Sequence, residues 1–392
     1  MNSATMLSSR IRKRQRNNAV VNRDLCIIMV KESKDMKRFL SWLLVAVLLC
    51  FTASGCSDYS GSKMIAEAQN SNVSQELSIE LMQSNYGVPA YEMLEYIQHN
   101  YPGRIAGTEK EKEMAVFIIS ILLNGGYSEK DISVQPFNIT DSSPAMVAEE
   151  TNEFDGGEKS NSSQNIEVVI KGESEKTIVV GAHYDSVGTH GVDDNGSGVS
   201  VVLENALRMA NTQPYYTIRY VFFGSEEIGM CGSRAYVERL SQKEKENIIL
   251  MINIDSVLAG DYLYLYGGHI SEDGDVDRTE AVIKTAELAN ETGIEIQLPP
   301  EGNVDYPYPT GQKRSDHAPF NDIEIPYVYF EANNWEKGYP DETQKYGLVM
   351  HTGRDDLEFI ENEYGKRGQN TLTSYSLLLY SMLQETDWEQ PN

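Results

Sequence analysis

From about Val88 to Glu385 the apolar positions of this chain follow two rhythms, one repeating every three to four residues and one of short continuous runs. Tyr91 to Gln98 and Glu109 to Asn124 carry apolar residues at helical spacing, and the second stretch ends at Gly125-Gly126, a helix stop. Asp131 to Ile139 reads as a strand. Thr140 to Asn165 (residues 140–165) is rich in Ser, Asn and Glu with few apolar residues, which predicts a surface excursion too short to be an inserted domain. Runs of β-branched and aromatic residues follow at Ile166 to Ile170, Thr177 to Gly181, Thr217 to Phe223, Ile248 to Ile254 and Tyr262 to Tyr266. Such runs suit strands covered on both faces. Helical patterns sit between or after them, at Gly198 to Ala210, Arg234 to Leu240, Thr279 to Thr292 and Gly365 to Leu383. Strands alternating with helices over nearly 300 residues predict an α/β fold: a three-layer α/β/α sandwich around a central mixed, largely parallel sheet. In such sheets functional groups gather at the C-terminal ends of the strands.

The first 87 residues break this rhythm. Met36-Lys37-Arg38 leads into an apolar run from Phe39 to Phe51, the pattern of a secretory signal peptide and too short for a comfortable membrane span. The run closes on Ala53-Ser54-Gly55-Cys56, which resembles a bacterial lipobox, where the Cys becomes the lipidated first residue of the mature chain. Residues 1–35 make a long basic leader for a signal peptide at 36–55, so translation is expected to begin at Met36 and the leader to be a non-native extension. Residues 56–87, polar and rich in Ser, Asn, Glu and Gln, are expected to form a flexible tether, with the folded body at 88–392. The expectation is an exported lipoprotein, held through Cys56 on the extracellular side of the cell membrane or shed from it.

Composition narrows the function classes. Hydrophobic residues make up 40% and charged residues 23%, which is ordinary for a globular protein and argues against wholesale disorder. The formal net charge is −26, but residues 1–56 hold ten of the Lys and Arg and three of the Asp and Glu. The remainder therefore has 23 basic and 56 acidic residues, a net of −33. Such a surface repels phosphate backbones and excludes nucleic acid as a partner. Of the four cysteines, Cys26, Cys50 and Cys56 lie in the N-terminal region, leaving Cys231 alone in the body as a small buried hydrophobe. No disulfide framework is available, so stability rests on the core.

Five groups of residues carry candidate chemistry. His183-Tyr184-Asp185 follows the run Thr177 to Val180; His183 leaves the strand end, and Asp185, two residues on, can accept the other imidazole N–H and fix its tautomer. Gly191-Val192-Asp193-Asp194-Asn195-Gly196-Ser197-Gly198 opens a helix, with two carboxylates and three glycines in eight residues, more than a helix cap requires. Glu226-Glu227 follows the run Thr217 to Phe223, where buried acids are expensive unless a cation faces them. Asp255 ends the run Ile248 to Ile254, and His351 lies in Met350-His351-Thr352-Gly353-Arg354-Asp355-Asp356. Three of the five groups fall at predicted strand C-terminal ends. Imidazole and carboxylate donors without a thiolate suit hydrolytic zinc, with Co²⁺ or Mn²⁺ as substitutes.

In this order His183-x-Asp185, Asp194-Asn195-Gly196-Ser197-Gly198, Glu226-Glu227, Asp255 and His351 resemble the co-catalytic di-zinc peptidase family of secreted bacterial aminopeptidases, which also includes glutamate carboxypeptidases. The resemblance spans roughly Tyr96 to Leu383. It implies two Zn²⁺ per chain: His183 and Asp255 on one, Glu227 and His351 on the other, Asp194 bridging both. Asp185 matches the aspartate behind the His ligand and Glu226 the general base. The family's bridging aspartate directly precedes Asn/Asp-Gly-Ser-Gly, which selects Asp194 over Asp193. Arg314 resembles a residue contacting the tetrahedral intermediate or a substrate carboxylate, and His317 matches a segment near the substrate pocket. His99 and His269 read as surface or structural residues, and His190 as a candidate for the cleft wall. One departure stands out: some members place a Tyr before the last His ligand, where this chain has Met350, so either a different Tyr (Tyr306, Tyr308 or Tyr346) supplies the donor or the metals and Arg314 suffice.

The implied chemistry follows from charge. Two cations sharing a water lower its pKa from near 16 to roughly 7, so a metal-bridged hydroxide is available at neutral pH. Glu226 takes the proton and returns it to the leaving amine. The resulting expectation is an aminopeptidase acting on peptide substrates. Its rivals are a carboxypeptidase or dipeptidase, which needs basic residues for a free carboxylate, and a glutaminyl cyclase-like enzyme using one zinc. A non-catalytic binding lipoprotein on the same scaffold is the alternative from another class. Val304 to Lys313, rich in Tyr and Pro, is the expected specificity loop.

Overall fold

In the computed structural model, which describes residues 61–71, 85–139, 153–270, 275–300, 309–336 and 342–388, the apolar runs pair into one twisted sheet. Its strands are β1 (Ile132–Asn138), β2 (Ser162–Ile170), β3 (Ser174–His183), β4 (Tyr216–Phe223), β5 (Ile248–Ile254) and β6 (Tyr262–Tyr266), joined later by β9 (Ile296–Gln297) and β10 (Tyr327–Asn333). A separate two-stranded ribbon holds β7 (His269–Ile270) and β8 (Val276–Asp277). The order in the main sheet is β1-β2-β4-β3-β5-β10-β6-β9. The four central strands, β4, β3, β5 and β10, are parallel; β1, β2 and β6 run against their inner neighbours, and β9 is parallel to β6.

Residue alternation explains the three layers. On β3, Ile178, Val180 and Ala182 enter one apolar cluster, while Val179 between them enters another. Side chains of a strand alternate between faces, so both faces of this strand are covered. The helices are α1 (61–69), α2 (Val88–Asn100), α3 (Glu109–Asn124), α4 (Gly198–Met209), α5 (Cys231–Arg239), α6 (Gln242–Asn247), α7 (Glu280–Glu291), α8 (Ala318–Asn321), α9 (Leu357–Tyr364) and α10 (Arg367–Gln384). Met93, Leu94 and Ile97 of α2, Val202 and Leu203 of α4, and Leu378 and Leu379 of α10 build the first cluster. Tyr236 and Val237 of α5 and Phe320 of α8 build the second. This is the expected α/β/α arrangement with a mixed, largely parallel sheet.

Departures from the expected elements have local causes. Residues 61–69, inside the stretch expected to be a tether, form α1, with Met64 and Ala68 buried and Ser71 Oγ 2.8 Å from Ser120 Oγ. Two apolar side chains a turn apart are enough to seat a short helix on the body. Strand β2 begins at Ser162, four residues before the expected start, because Ser162 to Asn165 pair antiparallel with β1 despite their polar side chains. Strand β10 was not expected at all: Glu331 and Asn333 interrupt its apolar run, yet both are buried and hydrogen-bonded to groups far along the chain or to each other. The expected signal peptide, Cys56, residues 140–152 of the excursion, Tyr306 and Tyr308 lie outside the described residues. Among the described residues no helix is long and apolar enough to cross a membrane.

Candidate active site

Because β4, β3, β5 and β10 are parallel neighbours, their C-terminal ends open on one side of the sheet. His183 is the last residue of β3, Glu226 and Glu227 follow β4, and Asp255 follows β5. Asp194 comes from the tight turn Val192–Ser197 ahead of α4, and His351 from the loop before α9. These six side chains line a cavity of about 370 Å³, together with Arg314, Tyr329 and Glu331 from the β10 side.

The distances separate two sub-sites. His183 Nε2 lies 3.2 Å from Asp194 Oδ1 and 3.3 Å from Asp255 Oδ1. His351 Nε2 lies 3.0 Å from Asp194 Oδ2 and 2.9 Å from Glu227 Oε2. Asp194 thus presents one oxygen to each imidazole. Zinc bonds of about 2.0–2.2 Å at tetrahedral angles put neighbouring ligand atoms roughly 3.3 Å apart. The donor set and its spacing therefore fit two such ions, and ligand atoms of His183, Asp194 and Glu227 lie within 4.8 Å of one another, close enough to hold a metal ion. Asp193, the neighbour of Asp194, points elsewhere: its Oδ1 accepts the Leu258 N–H at 2.8 Å.

Electrostatics agree with a cation site. Burial opposes the charged form of His183, but Asp255, Asp185 and Asp194 around it prevail and hold its proton well above the usual range. The facing Glu227 carboxylate pushes His351 up to about 12. Burial also opposes ionisation of Asp194, yet the two imidazoles keep it below the usual carboxylate range. Ions at these positions displace such protons, so metal binding is coupled to proton release. Burial drives Glu226 well above its ordinary value, the direction expected of a general base.

Asp185 contacts more than His183. Its Oδ1 stands 3.5 Å from His183 Nδ1, but its two oxygens accept the backbone N–H groups of Glu226 at 2.9 Å and Glu227 at 3.1 Å. It therefore shapes the turn bearing both glutamates as well as backing the histidine. On the other side, Asp255 Oδ2 accepts from the Ser315 hydroxyl at 2.6 Å.

Two buried groups escaped the sequence reading. Arg104 has no exposed surface and donates to four backbone carbonyls: Tyr184 at 2.8 Å, Tyr101 at 3.1 Å, His190 at 2.9 Å and Gly191 at 2.7 Å. It ties the loop after His183 to the loop before Asp194. Gly191 has φ +61°, and a Cβ there would stand 2.8 Å from Arg104 Nη2, so this approach requires glycine. Asp355 accepts the Asp193 N–H at 2.5 Å and the Asp194 N–H at 3.4 Å, and burial pushes it up to about 8. The one available signal for Arg104 was its position in Gly103-Arg104-Ile105-Ala106-Gly107, a lone Arg among small and apolar residues.

The expected substrate-binding pair divides. Arg314 lines the cavity with its guanidinium 2.9 Å from Glu331. His317 does not line it: the ring is fully buried between Tyr327 and Tyr329, with centroids at 4.5 and 4.7 Å. Its Nε2 meets the Gly311 carbonyl at 2.6 Å and burial lowers it to about 4, so it supports the wall as a neutral ring from behind. His190 packs edge-on against Phe154, 3.7 Å from Asp356, away from the cavity. His99 and His269 are exposed. Met350 lines the cavity, and Tyr346 donates instead to Glu363 at 2.8 Å.

Paired imidazole–carboxylate sub-sites at the strand ends of an α/β/α sandwich define a metallo-exopeptidase. The family model of peptidase family M28 matches residues 165–375, more than half of the chain, and the chain belongs to that family. It is 29% identical over 265 residues to the alkaline phosphatase isozyme conversion protein of Escherichia coli strain K12, covering 62% of this chain and 72% of that protein. Aminopeptidase YwaD of Bacillus subtilis strain 168 is 31% identical over 220 residues, covering 54% of this chain and 44% of YwaD. Among solved structures, the zinc aminopeptidase BSAP from Bacillus subtilis superposes with a TM-score of 0.59 at 20% identity, covering 77% of this chain and 96% of that one.

Proposed function

We propose that this enzyme is an aminopeptidase that removes N-terminal residues from peptides, working with two zinc ions, and that it is exported and anchored through Cys56. The observation that carries the two-ion reading is Asp194, whose oxygens stand 3.2 Å and 3.0 Å from two different imidazoles. His183, Asp194 and Asp255 would hold one ion, and Glu227, His351 and Asp194 the other. When bound, the ions supply Lewis acidity to the scissile carbonyl and acidify the attacking water.

Glu226 does the proton work. Its carboxylate accepts a proton from water as oxygen attacks the carbonyl carbon, and the same proton then passes to the departing amine. Asp185 holds the Glu226 backbone so that the side chain faces the cavity. The cavity suits an N-terminal ammonium better than a C-terminal carboxylate. Glu226, Glu331 and Asp255 line it, and the Arg314 guanidinium is engaged by Glu331. The aminopeptidases among the similar proteins support the same reading. The five-residue ligand set argues for a hydrolase over a one-zinc cyclase and against a binding protein.

The test is hydrolysis of free and N-acetylated peptides by the domain from Ser57, with zinc added or chelated, alongside Glu226→Gln. Zinc-dependent release of the first residue, blocked by acetylation and reduced roughly 10²–10⁴-fold in the variant, is expected. Release from the C-terminal end would overturn the aminopeptidase reading. For the anchor, Cys56→Ser should abolish incorporation of labelled fatty acid; unchanged labelling would remove Cys56 from consideration.

A further inference from the structure

Lys313 and Arg314 both line the cavity, but they are held differently. The Arg314 guanidinium lies 2.9 Å from Glu331. Lys313 is exposed at the open side, and among the described residues its ammonium makes no hydrogen bond or ion pair. Of the stretch expected to set specificity, residues 309–313 are described, and of these Lys313 is the one that reaches the cavity. The backbone beside it is fixed. Ser315 gives its hydroxyl to Asp255 at 2.6 Å and accepts from the Asn253 amide at 2.8 Å, and the His317 ring is wedged between Tyr327 and Tyr329. Lys313 itself has φ +63°, in the left-handed region, where a Cβ is strained and glycine is not. Strain kept at the edge of an active site points to a use for the side chain that bears it.

Charge indicates what that side chain meets. With two Zn²⁺ bound, four positive charges would face the carboxylates of Asp194, Asp255 and Glu227, and Glu226 offsets the one that remains. Arg314 and Glu331 offset each other. The Lys313 charge is left over, and the N-terminal ammonium of a peptide adds a second. A carboxylate on the same substrate residue restores the balance. Resting on the aminopeptidase reading above, we propose that the Lys313 ammonium pairs with a carboxylate on the first side chain of the substrate, so that the enzyme prefers peptides beginning with Asp or Glu. The ammonium of that residue is drawn inward to Glu226 and Glu331, and its side chain points out toward Lys313. The other cavity groups suit this carboxylate less. Met350 has no charge, the Ser256 hydroxyl is given to Asp255 at 3.1 Å, and Arg314 is engaged by Glu331. A single charge-assisted hydrogen bond at the rim supplies selectivity, because the uncharged isostere loses it without losing its fit.

The test is kcat/KM of the zinc-loaded enzyme on the anilides of Glu and Gln, which match in shape and differ in charge. Wild type should favour Glu roughly tenfold. Lys313→Met should erase that ratio, and Lys313→Glu should turn it into a preference for a Lys anilide over a norleucine one. Zinc content and melting temperature of both variants should match wild type. Calorimetric affinity for free glutamate relative to free glutamine should drop in Lys313→Met in parallel with the kinetic ratio. A Leu-Gly dipeptide and its C-terminal amide separate the other source of a carboxylate. A preference for the free dipeptide that depends on Lys313, with Glu and Gln anilides cleaved alike, would overturn the side-chain assignment. Equal rates on Glu and Gln without any such preference would overturn it as well, and release of either first residue would leave the aminopeptidase reading intact. A wild-type enzyme that releases no N-terminal residue from any of these substrates would overturn both.

Discussion

The carboxylate of Asp185 accepts the backbone N–H of Glu226 at 2.9 Å, so the residue two positions after one imidazole sets the direction of the proposed base. Its other oxygen takes the Glu227 N–H at 3.1 Å, and the turn between them starts at Ser225 with φ +57°. A carboxylate accepting two amides in a dry site holds that left-handed turn in place.

Asp185→Asn should therefore damage catalysis beyond its contact with His183. The amide's NH₂ would face one of the two backbone N–H groups and leave it unsatisfied. We expect kcat to fall about 10–100-fold, with a comparable loss of zinc affinity. Steady-state kinetics and zinc competition with a chromophoric chelator measure both; wild-type values would exclude the turn-holding role.

Arg104 should act on metal affinity through geometry. Its four bonds join the backbone around His183 and Asp194, the two residues that share one sub-site. Arg104→Met removes every donor while keeping much of the bulk, and should cost about 10–100-fold in zinc affinity. Arg104→Lys should recover part of that loss, since an ammonium reaches fewer of the carbonyls. Equal zinc affinity in all three forms would show that the guanidinium serves stability alone.

Metal removal should abolish activity and lower the melting temperature. Ions that bind only the folded state stabilise it by RT ln(1 + [L]/Kd), about 4 kcal/mol at a thousandfold excess over Kd. Asp194→Asn should lower the zinc content of the purified protein below two per chain, because it weakens the carboxylate facing both imidazoles. Two ions retained by this variant, measured by elemental analysis, would argue against a bridging role.

His317 should make the fold acid-sensitive. Its folded-state value of about 4 lies below the ordinary 6.5, so protonation favours the unfolded chain. No cost arises above pH 6.5, and the loss grows as pH falls from there toward 4. By pH 4.5 this single group should have withdrawn about 2 kcal/mol. Denaturant unfolding of wild type and His317→Gln should show the stability gap between them narrowing by that amount between pH 7 and 4.5. A constant gap would mean the imidazole is not held neutral.

Much of this was readable along the chain. The bounds of α3, β5 and β6 coincide with the expected runs, since continuous β-branched or helical spacing over a whole element leaves little ambiguity. Strand β10 was not readable, because Glu331 is polar in sequence and becomes buriable only beside Tyr266 and Arg314, which come from other segments. The same holds for Arg104, whose partners Tyr184, His190 and Gly191 are at least 80 positions away. His317 looked like a substrate residue from its neighbours and proved to be a stacked wall element.

By itself, the sequence determined which residues stand at strand ends, because short-range burial patterns dictate where strands stop and turns begin. It also determined the donor chemistry, carboxylate and imidazole without thiolate. Only the tertiary structure decided which donors meet. Parallel pairing in the order β4-β3-β5 brings Glu227, His183 and Asp255 to one edge, and backbone direction in the turn at 192–197 sends Asp194 toward two imidazoles and Asp193 toward Leu258. Adjacent side chains of a turn diverge, and which of them reaches the site depends on contacts made across the whole fold.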